Sequence, residues 1–149
     1  MPPKSDFPAL FKPGFHDIRV GEISAVFDTP FESITRPDLT SGLLAFIEAL
    51  LTFGVTCQVW IDGSYATAKT NPSDVDLLIV FDVADIQALS DTKHQELTAL
   101  LDRVSAKVRY HCDVYFIPDN DAEEAAYWQD KFGHGHDRSI SKGIPRISL

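Results

Sequence analysis

The chain has 149 residues, of which 44% are hydrophobic and 23% charged, a composition that suits one globular domain spanning residues 1–149. Its formal net charge of −9 argues against strong sequence-independent binding to nucleic acid, because that binding depends on Lys and Arg neutralising phosphates. The longest apolar runs fall short of the roughly 20 residues that a membrane-spanning helix needs, so we expect no membrane partner.

The compartment is predicted from the first residues and from the cysteine content. The start, MPPKSDFPALF, lacks the charged beginning and apolar run of a secretory signal. The only two cysteines, Cys57 and Cys112, each fall in an apolar segment without the framework of a disulfide-stabilised protein. We therefore expect a cytoplasmic protein with two buried thiols.

In chain order, the predicted elements begin with an irregular N-terminal segment, residues 1–35. Its five prolines leave room for at most one short helix, near 22–27. The core, residues 36–118, opens with apolar residues at helical spacing. Pro37 suits the first turn of this helix and Gly54 suits its end.

The rest of the chain is predicted to alternate strands with helices. The elements are a strand over 55–61, a turn at 62–64 shaped by Asp62, a strand over 74–81, a helical stretch over 84–108 broken near Ser90 and capped by Asp82, a strand over 111–117, and a C-terminal helix and tail over 119–149 with a short final strand. This order predicts an α/β (α+β) fold, a small mixed sheet with helices packed on one face.

Two carboxylates stand in the second of these strands, which is otherwise apolar. Asp74 and Asp76 are two positions apart, so their side chains point to one face about 7 Å apart and can share a hard cation such as Mg²⁺. Asp113 lies within the next apolar strand, HCDVYFIP, and can face the same pocket. Three carboxylates can hold two metal ions, the arrangement that in-line phosphoryl displacement uses.

The turn before this strand supplies a second feature. Gly63 at a strand end lets the backbone approach a phosphate, and the backbone N–H groups and the Ser64 hydroxyl can donate hydrogen bonds to it. The turn and the carboxylates would then hold one triphosphate from two sides.

The whole pattern, Gly63-Ser64, nine residues, Asp74-Val75-Asp76 and the later Asp113, resembles the nucleotidyltransferase superfamily typified by DNA polymerase β, especially its minimal bacterial members. The resemblance covers about residues 37–118. It implies a polymerase β-type fold, two Mg²⁺ ions (with Mn²⁺ as an alternative) held by Asp74, Asp76 and Asp113, and a triphosphate held by Gly63 and Ser64. Larger members carry a second, helical domain for which this chain has no room.

By the same resemblance, the protein would transfer a nucleoside monophosphate from a nucleoside triphosphate, with ATP the expected substrate, and release pyrophosphate. The acceptor hydroxyl could belong to a protein, an RNA or a small molecule. Minimal members often act as the antitoxin of a toxin–antitoxin pair, which favours a protein acceptor or toxin partner. A partner chain or a second copy, in a homo-oligomer, could replace the missing helical domain.

Two other functions compete with this interpretation. A non-catalytic antitoxin or interaction module could retain the fold without turnover, although mutual repulsion makes three retained carboxylates costly for it. A manganese-dependent glycosyltransferase could use the same acidic pair with a sugar nucleotide. Such domains are normally larger and do not need Gly-Ser at this spacing.

Several further residues are candidates for the site. His134 and His136 in GHGH lack Cys or carboxylate neighbours at zinc spacing, so we expect them to be solvated and not to bind a metal. Trp60 and Trp128 are expected in the core. Four cations lie near the motif or in the tail and could either neutralise triphosphate charge or remain solvated: Lys69, Arg138, Lys142 and Arg146.

Overall fold

The computed structural model describes residues 6–149, so the first five residues of the segment predicted to be irregular, among them Pro2 and Pro3, lie outside it. The strands of the described part are β1 (Gly14–Asp17), β2 (Cys57–Asp62), β3 (Val75–Phe81), β4 (Cys112–Pro118) and β5 (Gly143–Ser148). Its α-helices are α1 (Ile23–Phe27), α2 (Arg36–Leu51), α3 (Val83–Gln87), α4 (Asp91–Leu100), α5 (Arg103–Tyr110) and α6 (Ala122–Phe132).

The strands form one mixed sheet in the order β1-β5-β2-β3-β4. β1 runs parallel to β5 and β3 runs parallel to β4, whereas β2 is antiparallel to both of its neighbours, β5 and β3. The predicted mixed α+β architecture is therefore confirmed, and so is the short final strand. β1 was not predicted: among residues 6–149 this four-residue strand pairs with the distant β5 alone, and no local sequence pattern indicates that pairing.

One face of the sheet carries the larger core. The helices α1, α2, α4 and α5 supply apolar side chains to it, and Leu43, Phe46 and Ile47 of α2 are each at most 1% exposed. They pack on alternate residues of the central strands, such as Leu77 and Ile79 of β3. Cys57 and Cys112 are free thiols buried in this core, as predicted. Burial of this apolar surface is the main stabilising term of the fold.

The opposite face carries a second core, which corrects the prediction that helices pack on one face only. Trp128 and Phe132 of α6 pack with Trp60 of β2 and Leu78 of β3. Leu78 lies on the face of β3 that also carries Asp76, so this face is apolar in the middle and acidic at one end. Both tryptophans are buried, as expected.

The predicted ends of the helices are largely confirmed. Pro37 lies in the first turn of α2, whereas the helix ends at Leu51, three residues before the predicted end at Gly54. The break near Ser90 exists, and its hydroxyl accepts a hydrogen bond from the backbone N–H of Lys93 at 3.2 Å. Asp82 caps α3 by accepting from the Asp85 N–H at 3.0 Å. A second break at Asp102, which separates α4 from α5, was not predicted.

Within residues 6–149, none of the helices combines the length and the apolar character that crossing a bilayer requires.

Candidate active site

Three aspartates form a row across the sheet. Asp62 at the end of β2 is the cross-strand partner of Asp76 near the start of β3, and Asp76 is in turn the partner of Asp113 in β4. Neighbouring strands lie about 4.8 Å apart, and cross-strand partners point to the same face. The sheet therefore brings Asp76 and Asp113 together, as predicted, and adds Asp62, whose predicted role was to shape the turn.

Asp74 lies one residue before the start of β3, beside the row. Its carboxylate is 3.4 Å from the Lys107 Nζ of α5. Charge from Asp74 nevertheless acts on Asp76. Both members of the predicted acidic pair are thus close to one another, although Asp74 is turned toward a lysine.

Asp76 carries the most perturbed carboxyl group of the row. Its burial raises its pKa to about 7, and the nearby charges of Asp74, Asp62 and Asp113 act in the same direction, with Lys142 opposing them. The row is therefore short of positive charge at Asp76. Oxygen donors around such a position suit a hard divalent cation.

The other carboxylates of the row already have partners of opposite charge. Lys142 Nζ lies 2.5 Å from an oxygen of Asp62, and burial raises the pKa of Asp62 against the opposing effect of that lysine. Arg103 donates two hydrogen bonds to Asp113, from Nε at 3.0 Å and from Nη2 at 3.3 Å. In the part of the chain that the structure describes, no three His, Cys, Asp or Glu side chains stand ready to hold one metal ion.

A divalent ion at Asp76 would therefore compete with two cations that are largely exposed. The Arg103 side chain is 57% exposed and the Lys107 side chain 60% exposed, so both can move away from Asp113 and Asp74 into solvent. The donor set of Asp74, Asp76 and Asp113 thus fits a hard cation chemically.

Gly63 brings the backbone against Asp76. Its φ is +78°, a backbone conformation that residues other than glycine rarely adopt. A Cβ built on Gly63 would lie 2.6 Å from an Asp76 carboxylate oxygen. A short 3-10 turn, Ser64–Ala66, follows at once. The predicted phosphate-binding turn and the predicted metal ligand are therefore direct neighbours.

Buried Arg36 holds this turn in place, a role that the sequence analysis missed. The side chain is 0% exposed, and its guanidinium donates to the backbone carbonyls of residues 27, 65, 67 and 69 at 2.7–3.1 Å. The guanidinium also lies 3.7 Å from the centre of the Phe31 ring. No sequence spacing predicts such contacts, because every acceptor is a backbone carbonyl.

A cleft of about 200 Å³ opens beside the turn. Its lining comes from Asp62, Asp76 and the Gly63-Ser64 turn, from Asp6, Phe7 and Thr67, and from α6 with the segment after it. The residues contributed by α6 and that segment are Lys131, His134, Gly135, His136 and Lys142.

The two histidines and four cations named as candidates from the sequence lie in different parts of the structure. His134 and His136 line the cleft, and His134 Nδ1 donates to the Asp130 carbonyl at 2.7 Å. Of the four cations, Lys142 alone is paired with a carboxylate of the row. Arg138 pairs with Asp130, Arg146 pairs with Asp17, and Lys69 lies 5.7 Å from the Phe7 ring centre.

Asp62, Arg103 and Lys107 are the site residues that the sequence analysis missed. The sequence does place Asp62 on a defined face of its strand, the face that carries Gln58 and Trp60. Only the register between β2 and β3 reveals that this face meets Asp76. Arg103 and Lys107 lie four residues apart on α5 and carry no such signal.

Comparison with known proteins gives a match to one family. Residues 3–148 match the model described as "Family of unknown function (DUF6932)". Neither the curated proteins nor the solved structures contain a significant match.

Proposed function

The chain belongs to the DUF6932 family, and we propose that it is a metal-dependent nucleotidyltransferase with a polymerase β-type active site. It would transfer a nucleoside monophosphate from a nucleoside triphosphate, ATP being the expected one, to an acceptor hydroxyl. The observation that carries the proposal is the contact between the Gly63 turn and Asp76, at the centre of a row of aspartates.

The proposed metal ligands are Asp74, Asp76 and Asp113, holding two Mg²⁺ ions, with Mn²⁺ as the alternative. The raised pKa of Asp76, about 7, supports this choice because a cation would relieve the repulsion that its neighbours impose. When bound, the metal supplies charge neutralisation for the phosphates and for the attacking and leaving oxygens.

The turn would bind the triphosphate. The Asp76 carboxylate takes the space beside Gly63, so a phosphate would meet the Ser64 hydroxyl and the backbone N–H groups of the turn, and Ser64 lines the same cleft. Arg36, which fixes the carbonyls of the following loop, is a positioning residue that keeps these donors oriented. Substrate binding then costs little reorganisation.

Asp113 would accept the proton of the attacking hydroxyl. The acceptor oxygen forms a bond to the α-phosphorus while the bond from that phosphorus to the α–β bridging oxygen breaks, and pyrophosphate leaves. Arg103 now occupies both oxygens of Asp113 and must move aside for this step. Its guanidinium is then free to bind negative charge on the reactants.

The acceptor could be a protein, an RNA or a small molecule, and a toxin partner is our first candidate. A specific observation favours a second function, a non-catalytic antitoxin or interaction module. Asp62, Asp74 and Asp113 are each neutralised by a cation of the chain itself, as a site without metal would require.

Transfer of label from ATP distinguishes these two functions and identifies the acceptor. Purified protein is incubated with magnesium, a cell extract as acceptor source, and ATP labelled at either the α- or the γ-phosphate. We expect label from the α-phosphate, and none from the γ-phosphate, in the product. Loss of this label on treatment with protease identifies a protein acceptor, loss with RNase identifies an RNA, and resistance to both identifies a small molecule. Asp76→Asn should abolish transfer, while Asp82→Asn, the same change at a helix cap, should retain it. Absence of transfer, repeated with the other triphosphates, would favour the non-catalytic module.

A further inference from the structure

Carboxylates and cations both line the cleft beside the Gly63-Ser64 turn. Asp6, Asp62 and Asp76 are among its lining residues, and so are Lys131 of α6 and Lys142 after that helix. The proposed metal site uses Asp76 and neither lysine. We call the lining contributed by residues 131–142, which lie outside the stretch that resembles nucleotidyltransferases, the basic wall.

Lys142 is fixed at the base of the basic wall. Its backbone N–H donates to the Gly133 carbonyl at 2.8 Å, and β5 begins at the next residue. The side chain is 11% exposed and its ammonium group meets Asp62, itself 13% exposed. Asp62 thus holds a nearly buried cation in place beside Asp76, and the cost of desolvating that cation is met during folding.

The loop next to Lys142 already binds an anionic group of the chain. Two successive backbone N–H groups, of His136 and Asp137, donate to the two carboxylate oxygens of Asp6 at 2.8 and 2.9 Å. A Cβ at Gly135 would lie 2.6 Å from one of those oxygens, so the glycine permits this close approach. Successive N–H groups of this kind form anion-binding concavities. Asp6 therefore marks an anion position on the basic wall.

We propose that this wall is the polyphosphate-binding wall of the nucleotide site. Lys142 binds the β- or γ-phosphate, the N–H groups of His136 and Asp137 bind the terminal phosphate, and Asp6 holds that position in the nucleotide-free protein. Asp62 is a positioning residue that aims Lys142 into the cleft. The inference rests on the proposed function, because it assigns the second half of the same nucleotide site.

The first test compares triphosphate with monophosphate affinity by calorimetry in the presence of magnesium. Lys142→Met should weaken binding of ATP and of inorganic tripolyphosphate by about 10- to 100-fold, the effect of losing a charge-assisted hydrogen bond, and leave AMP binding nearly unchanged. Lys93→Met, which removes an exposed lysine paired with Glu96, is the matched control. If Lys142→Met does not fold, the double variant Asp62→Asn plus Lys142→Met removes both charges of the pair.

The second test uses the two aspartates that touch this wall. Asp6→Ala should bind tripolyphosphate several-fold more tightly, since a competing anion is removed. Asp62→Asn removes the charge that aims Lys142 into the cleft, so it should weaken ATP and tripolyphosphate binding several-fold and leave AMP binding nearly unchanged. Unchanged or weaker binding by Asp6→Ala would overturn the assignment of the loop N–H groups.

The outcomes separate this inference from the proposed function. If the wild-type protein binds neither ATP nor tripolyphosphate with magnesium, both fail. If the wild type binds ATP and Lys142→Met binds it equally well, or loses AMP and ATP affinity to the same extent, the basic wall is structural and only the present inference fails.

Discussion

Asp76→Asn is expected to abolish nucleotide transfer and at the same time to stabilise the metal-free protein at pH 8. The raised pKa of Asp76, about 7 against an ordinary value of 3.8, means that ionising this carboxyl opposes folding. In the wild type the penalty is absent below about pH 4, grows as the pH rises toward 7 and is constant above it. An amide does not ionise, so the variant avoids a penalty of about 2 to 4 kcal/mol at pH 8.

Urea unfolding in the presence of a chelator, at pH 4.5 and pH 8, measures this difference. The gain should be small at pH 4.5 and full at pH 8. Asp82→Asn should leave stability nearly unchanged at both pH values, because asparagine caps helices about as well as aspartate. If Asp76→Asn were less stable than the wild type at pH 8, the ionised Asp76 carboxylate would stabilise the fold, which contradicts this account.

Arg36→Met is expected to destabilise the protein by about 3 to 5 kcal/mol. Methionine fills much of the space but donates no hydrogen bond, so the carbonyls of residues 27, 65, 67 and 69 lose a buried donor. The loop that follows the Gly63 turn should then lose its fixed geometry, because Arg36 joins that loop to the start of α2.

The matched control for this change is Arg109→Met. Arg109 is exposed on α5 and its guanidinium lies 5.6 Å from the Tyr110 ring centre, so its replacement should change stability by less than about 0.5 kcal/mol. Both variants are compared with the wild type by urea unfolding at pH 7. Equal stability of the two variants would contradict the role assigned to buried Arg36.

The centre of the site could be predicted because its signals are local in the chain. Asp74 and Asp76 interrupt an apolar strand, and a glycine ends the strand before it, so both anomalies are visible without any knowledge of pairing. The helix ends at Ser90 and Asp82 were predictable for the same reason, since a cap bonds to an N–H three residues away.

The rest of the site depends on contacts between distant segments. Asp62 joins the row only through the register of β2 and β3, and Lys142 reaches it from 80 residues further along the chain. The face that α6 covers was mispredicted because apolar spacing shows that a helix is amphipathic without showing which side of the sheet it contacts. β1 was not predicted because β5, the strand with which it pairs, lies near the far end of the chain.

The most direct test of the central claim is calorimetric titration of ATP, with and without magnesium, into the wild type and into the double variant Asp74→Ala plus Asp76→Ala. The remaining nucleoside triphosphates follow in the same way. A metal·triphosphate site predicts binding that requires magnesium and is lost in the double variant, while the double variant keeps its fold by circular dichroism. Absence of binding by a folded wild type, or binding that survives both magnesium removal and the double substitution, would contradict the assignment of the aspartate row as a nucleotidyltransferase site.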